Sequence, residues 1–362
     1  MQGVRVRGVA VAGVALVAAA LSLAACSSSS TTTGSSSGGG SSAAKLSGTL
    51  NGSGSTFQLT FQQTAISNFK SVQPDMTVNY GGGGSGKGRT DLASDVVQYA
   101  GSDTAPIPSD EVASFKGKTV LYFPVIVGPI TVSYNLSGVS GLKLDGPVIA
   151  GLFDGSIKTW NDPKVAALNP GVKLPSTAVV IARRSDSSGT TANFSQFLVD
   201  AAPGVWKLGS SSTISWPAAS RGGNGNGGVA QIVKTTAGAV GYVDYSDAKA
   251  SGLSFASVKN KDGSYVAPSV SSATAAADNA TVNPDLTFSA IWTSGAGSYP
   301  ITYQSFVLVY QKQPAANTAK MLKAYIGYLL GDGQKQLPGL NYAPLPASLD
   351  QKAKAQLSKI GS

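Results

Sequence analysis

Three times along this chain, an apolar, β-like run empties into a glycine- and hydroxyl-rich turn from which a helix-like run starts. The turns cover residues 52–57, 81–88 and 185–191. The third is the most explicit. Val179-Val180-Ile181 leads to Arg183-Arg184-Ser185-Asp186-Ser187-Ser188-Gly189-Thr190, and Phe194, Phe197 and Leu198 follow at helical spacing. Repeated strand–turn–helix alternation predicts an α/β architecture. Helix N-termini leave N–H groups unsatisfied and carry partial positive charge, so they accept small oxyanions without needing lysine. Ser and Thr hydroxyls add donors, and an arginine beside the third turn adds a planar cation.

The rest of the pattern fits this class. Phe57, Phe61, Ala65 and Phe69 share one face and predict a helix over 57–69. A second helix should run through Leu92, Val96 and Val97, a third over 146–153, and a fourth over 318–330. Residues 76–80 and 239–243 read as strands, and 222–228 as a Gly/Asn loop. Two long β-rich stretches stand apart, 301–310 and 120–134, the latter broken by Pro124, Gly128 and Pro129. They are expected to act as crossovers between two lobes, 46–126 plus 302–362 and 127–301.

The N-terminus reads as an export signal. Arg5 and Arg7 precede a short apolar run over 9–21, and Leu23-Ala24-Ala25-Cys26 resembles a bacterial lipobox. Residues 1–25 are therefore expected to be a lipoprotein signal peptide, with Cys26 as the lipidated residue. Residues 26–45 follow as a Ser/Gly tether spanning roughly 25 Å. Cys26 is the single cysteine, so an exported chain like this holds no internal disulfide.

Composition narrows the chemistry. The chain has no histidine, which removes Ser–His–Asp and Cys–His catalysis and any Cys/His zinc site. It carries 27 basic and 18 acidic residues without a dense basic stripe, which suits an anionic ligand better than nucleic acid. The second turn nearly spells a P-loop, but Gly88 stands where the motif needs the magnesium-holding Ser or Thr. No Gly-x-Ser-x-Gly elbow stands between a strand and a helix, the match at 34–38 falling within the tether, so a secreted serine hydrolase or phosphatase is the weaker alternative.

Taken together, Gly52-Ser53-Gly54-Ser55-Thr56-Phe57, Gly84-Ser85-Gly86, Gly101-Ser102-Asp103, the segment from Arg184 to Thr190, Ile157-Lys158-Thr159-Trp160-Asn161-Asp162-Pro163, Leu168-Asn169-Pro170-Gly171 and Gly238-Ala239-Val240-Gly241-Tyr242-Val243 are distinctive. Through them the chain resembles the phosphate-binding lipoproteins of bacterial phosphate-specific ABC transporters, over nearly everything after the tether. The resemblance implies a two-lobe periplasmic-binding-protein fold with the ligand in the interlobe cleft. It implies a monomeric, non-enzymatic carrier without cofactor or metal. Such a carrier would be lipid-anchored on the outer face of the cytoplasmic membrane and serve the permease and ATPase subunits of the transporter.

By motif position, Thr56 would bind phosphate through hydroxyl and amide, Phe57 through its amide and Ser85 as a donor. Asp103 would accept the ligand's proton. Arg184 would be the charged clamp, oriented by Asp186, and Ser188, Gly189 and Thr190 would complete the cage. Ser187 and Lys87 stand where the family usually has glycine. Lys87 is expected to point to solvent. Carriers for sulfate, molybdate or tungstate share this general chemistry and remain the alternative within binding proteins.

Overall fold

The computed structural model describes residues 45–362, so the signal peptide, Cys26 and the tether up to residue 44 lie outside the described residues. In chain order, β1 (Gly48–Gly54) leads through the first turn into α1 (Leu59–Phe69). β2 (Met76–Gly81) leads through the second into α2 (Ser85–Ala93), and β3 (Tyr99–Ser102) ends beside Asp103. The long β4 (Val120–Tyr134) follows, then β5 (Lys143–Leu144), α3 (Gly146–Asp154) and α4 (Pro163–Leu168). β6 (Val180–Arg184) feeds α5 (Gly189–Ala201) through the third turn. β7 (Arg221–Gly223), α6 (Gly225–Thr235), β8 (Ala239–Asp244) and α7 (Tyr245–Ala250) extend the alternation. The short β9 (Ser254–Phe255), β10 (Ser257–Lys259) and β11 (Tyr265–Val266) precede α8 (Val270–Asp278), β12 (Thr302–Tyr310) and α9 (Ala316–Leu330).

One curled sheet runs in the order β2-β1-β3-β12-β4-β8-β6-β7, with β9 also on β4. It has two parallel parts, β2-β1-β3 and β8-β6-β7, joined through the antiparallel pair β12–β4. β4 divides its pairing: Val120 to Pro129 face β12, and Ile130 to Tyr134 face β8. The two stretches read as crossovers are therefore hydrogen-bonded to each other. The expected breaks at Pro124, Gly128 and Pro129 do not interrupt the strand. A register shift at Ser305/Phe306 leaves Val125 unpaired between Pro124 and Ile126, and such a bulge accommodates a proline that cannot donate to the ladder.

Two further expectations shift. The second helix begins at Ser85, directly after Gly84, and ends before Val96 and Val97. The stretch 222–228 is not a loop: it holds the end of β7 and the first turn of α6. Its glycines lower helix propensity, but helix N-termini tolerate them and the core-facing Val229, Ala230 and Val233 hold the remainder.

The core is aromatic next to the turns. Phe57 stacks on Tyr303 with ring centroids 4.1 Å apart and meets Tyr342 edge-on at 5.2 Å. Phe61 and Phe69, from the predicted apolar face, are buried under α1. Burying each such ring contributes roughly 2 kcal/mol, so the first turn rests on a rigid floor. The site turns leave the carboxyl ends of β1, β2, β3 and β6, where open α/β sheets bind ligands.

Candidate functional site

Asp103 follows the last residue of β3 and is 1% exposed. Its Oδ1 accepts hydrogen bonds from the Ser55 hydroxyl at 2.5 Å and from the Ser305 hydroxyl. Its Oδ2 accepts from the Ser85 hydroxyl at 3.2 Å, and Ser85 Oγ in turn accepts from the Asp103 N–H at 3.0 Å. Burial raises the Asp103 carboxyl above its ordinary range, while the Ser305 and Ser55 hydrogen bonds, the charge of Arg184 and the Ser85 hydrogen bond hold it back. Arg89, fully buried behind this strand end, clamps the flanking residues. It donates to Ser102 and Thr104 on either side of Asp103 and makes a two-point ion pair with Glu111 at 2.6 and 2.7 Å.

Arg184 ends β6 and is 3% exposed. It forks onto Asp186 through Nε, at 2.7 Å, and through Nη2, and its Nη1 donates to Thr190 Oγ1 at 3.2 Å. Burial pushes the guanidinium pKa down, but the Asp186 hydrogen bond and charge prevail and raise it. Asp186 moves the opposite way. Burial would raise its carboxyl, yet Arg184 and the Gly225 N–H bring it below the usual carboxylate value. The Arg184 amide donates to the Tyr242 hydroxyl at 2.9 Å, which fixes the end of the strand.

The third turn and α5 form one jaw of the site and close directly on the other jaw, made of the first two turns and Asp103. Gly86 N–H donates to the Ser187 carbonyl at 3.1 Å, and Asn193 Nδ2 donates to the Asp103 carbonyl at 2.8 Å. A Cβ at Gly189 would lie 2.3 Å from Ser85 Oγ and 2.6 Å from Asp103 Oδ2. Only glycine lets the N-terminus of α5 approach the buried carboxylate this closely.

Of the residues expected from sequence, Ser85, Asp103, Arg184, Asp186, Gly189 and Thr190 meet across this closure. Thr56 reaches it through Asn226, whose Nδ2 lies 3.2 Å from Thr56 Oγ1 and 3.4 Å from Thr190 Oγ1. One expected donor, the Phe57 amide, is engaged within its own turn, and the Ser188 amide is engaged while its hydroxyl keeps a hydrogen to donate. The Phe57 amide donates to Ser55 Oγ at 3.1 Å, and the Ser188 amide donates to the Ser212 carbonyl at 3.0 Å. Ser188 also caps α5, its Oγ accepting from the Thr191 N–H at 3.1 Å. Lys87 pairs with Asp91 at 2.7 Å on the surface.

Sequence reasoning missed Ser55, Ser305, Asn226 and Tyr303. Ser55 stood within the first turn, where the neighbouring Thr56 drew the assignment. Ser305 and Tyr303 lie in a β-rich stretch read only as a crossover. Asn226 lay in the presumed loop. Asn226 Oδ1 is buried without a partner, and the Tyr303 hydroxyl, also buried, has only the Thr190 hydroxyl beside it. Burial raises the Tyr303 hydroxyl well above its ordinary value, and the charges of Asp244 and Asp103 add to this. The arrangement can surround a small anion with hydroxyl donors, one guanidinium and a helix N-terminus, against the buried Asp103 carboxylate.

Comparison with known proteins agrees with this architecture. A PBP superfamily domain matches residues 39–333. The phosphate-binding protein PstS 3 of Mycobacterium leprae (strain TN) is 35% identical over 322 residues, covering 86% of this chain and 87% of that protein. The phosphate-binding protein PstS of Pasteurella multocida (strain Pm70) is 34% identical over 314 residues, covering 85% and 89%. Among solved structures, a high affinity periplasmic phosphate-binding protein (PfluDING) bound with phosphate superposes with a TM-score of 0.70 at 19% identity, covering 85% of this chain and 94% of that one. A phosphate-binding protein from Stenotrophomonas maltophilia gives 0.65 at 19% identity, covering 85% and 93%. The fold is the two-lobe fold of these binding proteins.

Proposed function

Because this chain belongs to the PstS family of phosphate-binding proteins, we propose that it binds inorganic phosphate outside the cell membrane and delivers it to the permease and ATPase subunits of an ABC transporter. It acts as a carrier and not as a catalyst. The observation that carries the reading is the buried Asp103 carboxylate facing a set of donors. Phosphate near neutral pH keeps a proton that a carboxylate can accept; sulfate has none and is repelled. Rejection by an unpaired, repulsive group is the strong form of selectivity.

In this reading one lobe, 46–126 with 302–362, offers Thr56, Phe57, Ser85 and Asp103. The other, 127–301, offers Arg184, Ser188, Gly189 and Thr190, with Asp186 holding the guanidinium. Closing the two lobes on the anion removes water from between them. The protein works as a monomer tethered through lipid on Cys26, so Cys26→Ser should release it from membranes and abolish palmitate labelling.

Titration calorimetry with phosphate and sulfate tests the central claim. The wild-type protein should bind phosphate far more tightly than sulfate, and Asp103→Asn should shrink that ratio by tenfold or more, chiefly through gained sulfate affinity. Equal affinity for the two anions in the wild type would favour a general oxyanion carrier and refute the role given to Asp103.

A further inference from the structure

The Thr56 and Thr190 hydroxyls are both saturated as acceptors. Thr56 Oγ1 lies 3.4 Å from the Asn226 backbone N–H and 3.2 Å from Asn226 Nδ2. Thr190 Oγ1 lies 3.2 Å from Arg184 Nη1 and 3.4 Å from Asn226 Nδ2. A hydroxyl has two acceptor lone pairs and one hydrogen. With both lone pairs facing N–H donors, each hydroxyl can only donate its hydrogen elsewhere. One amide group thus faces a hydroxyl from each jaw, since Thr56 follows β1 and Thr190 lies in the first turn of α5.

We propose that Asn226 is a positioning residue that sets the hydrogen-bond polarity of the site and latches its two jaws. By donating to Thr56 and Thr190 it commits both hydroxyls to donate toward the bound anion. Its own placement is well determined. Asn226 is fully buried in the first turn of α6. The preceding Gly225 has a φ of +67° and donates its N–H to Asp186 Oδ1 at 3.2 Å. A Cβ at Gly225 would lie 3.3 Å from Thr56 Cγ2 and, at that φ, would be strained. The turn therefore links the Arg184–Asp186 pair to Thr56 on the opposite jaw. The same polarity sharpens anion choice. Two hydroxyls fixed as donors demand unprotonated ligand oxygens at their positions, which leaves the ligand's proton to face Asp103.

This inference rests on the phosphate-binding reading, and a double-mutant cycle separates the two. Calorimetry and stopped-flow release of inorganic phosphate are measured for the wild type, Asn226→Ala, Thr56→Val and the double variant, with Asn226→Ser as a second substitution and urea midpoints as a check on folding. The expected result is a 10- to 100-fold weaker phosphate affinity for either Asn226 variant, carried mainly by faster release. The loss should be at least fivefold smaller in the Thr56→Val background. Affinity within threefold of wild type overturns the proposal. So does an equal loss in both backgrounds, which would mean that Asn226 only supports the packing of α6. A wild-type protein with no phosphate affinity would bring down the functional reading itself, and the latch with it.

Discussion

Replacing Gly189 with alanine tests whether affinity comes from closure. The new Cβ would lie 2.3 Å from Ser85 Oγ and 2.6 Å from both Cβ and Oδ2 of Asp103. Ordinary contact begins at roughly 3.4 Å, so the N-terminus of α5 must withdraw by about 1 Å. Hydrogen bonds that the α5 turn makes to an anion held by Asp103 would then stretch from about 2.9 to about 3.9 Å and be lost. Each bond to a charged group is worth about 1.5–3 kcal/mol. Loss of one of them weakens phosphate binding by about 10- to 150-fold, and loss of two by more. Fold stability should change little, because the clash arises only where the third turn meets the other jaw and opening the cleft relieves it. Calorimetry gives the affinity, and denaturation without ligand gives the stability. An unchanged dissociation constant would refute the claim that this close approach sets affinity. A large drop in the ligand-free urea midpoint would show that Gly189 matters to the fold instead.

The remaining predictions concern the charged groups. Ser305→Ala removes one of the hydrogen bonds that hold the Asp103 carboxyl down, so its pKa should rise further above the ordinary range. Phosphate affinity would then begin to fall at a higher pH than in the wild type on acidification, which titrations from pH 8 to pH 5 would show. The stability sign is fixed by the same shift. A raised carboxyl contributes stability fully below about 3.9 and loses it as pH rises through the folded value, so Ser305→Ala should lower neutral-pH stability relative to acid. Asp186 has the opposite sign: its lowered carboxyl stabilises the fold above about 3.9 and ceases to do so as pH falls through its folded value. Asp186→Ala should cost about 3 kcal/mol by leaving Arg184 buried without its partner, at the low end of the range because the Asp186 side chain keeps 13% exposure. Urea midpoints across pH would show the loss, and an unchanged midpoint would mean that the ion pair contributes nothing net.

The three turns and the residues that cluster around Asp103 and Arg184 were legible because strand–turn–helix transitions write themselves locally. Glycine, serine and threonine mark the turn, and apolar spacing marks what precedes and follows it. Ser305 and Asn226 were not legible for a different reason. Ser305 is a polar residue in an apolar strand, and only the bulge opposite Val125 and the pairing with β3 bring it to Asp103. Asn226 sits in a glycine-rich stretch whose local preference favours a loop, and the packing of α6 overrides that preference. The Phe57 amide shows the converse limit. A motif names the residue, but its bond to Ser55 Oγ is decided by the turn's own hydroxyl.

The pairing of β12 has a consequence for the order in which the protein can be assembled. Ser305 meets Asp103 across 202 positions of sequence, and β12 lies between β3 and β4 in the sheet. Until residues near 306 are available, β3 lacks its neighbour on one side, and the first ten residues of β4 lack theirs. Between them, β8 and β9 close on the far end of β4 and β6 and β7 follow through β8, while β5, β10 and β11 form a separate small sheet. Synthesis runs from the N-terminus, so the part of the chain that carries the acceptor Asp103 is sealed only after β12 has been made. A chain cut short before β12 would leave two unsatisfied strand edges exposed, the sort of surface that recruits other strands.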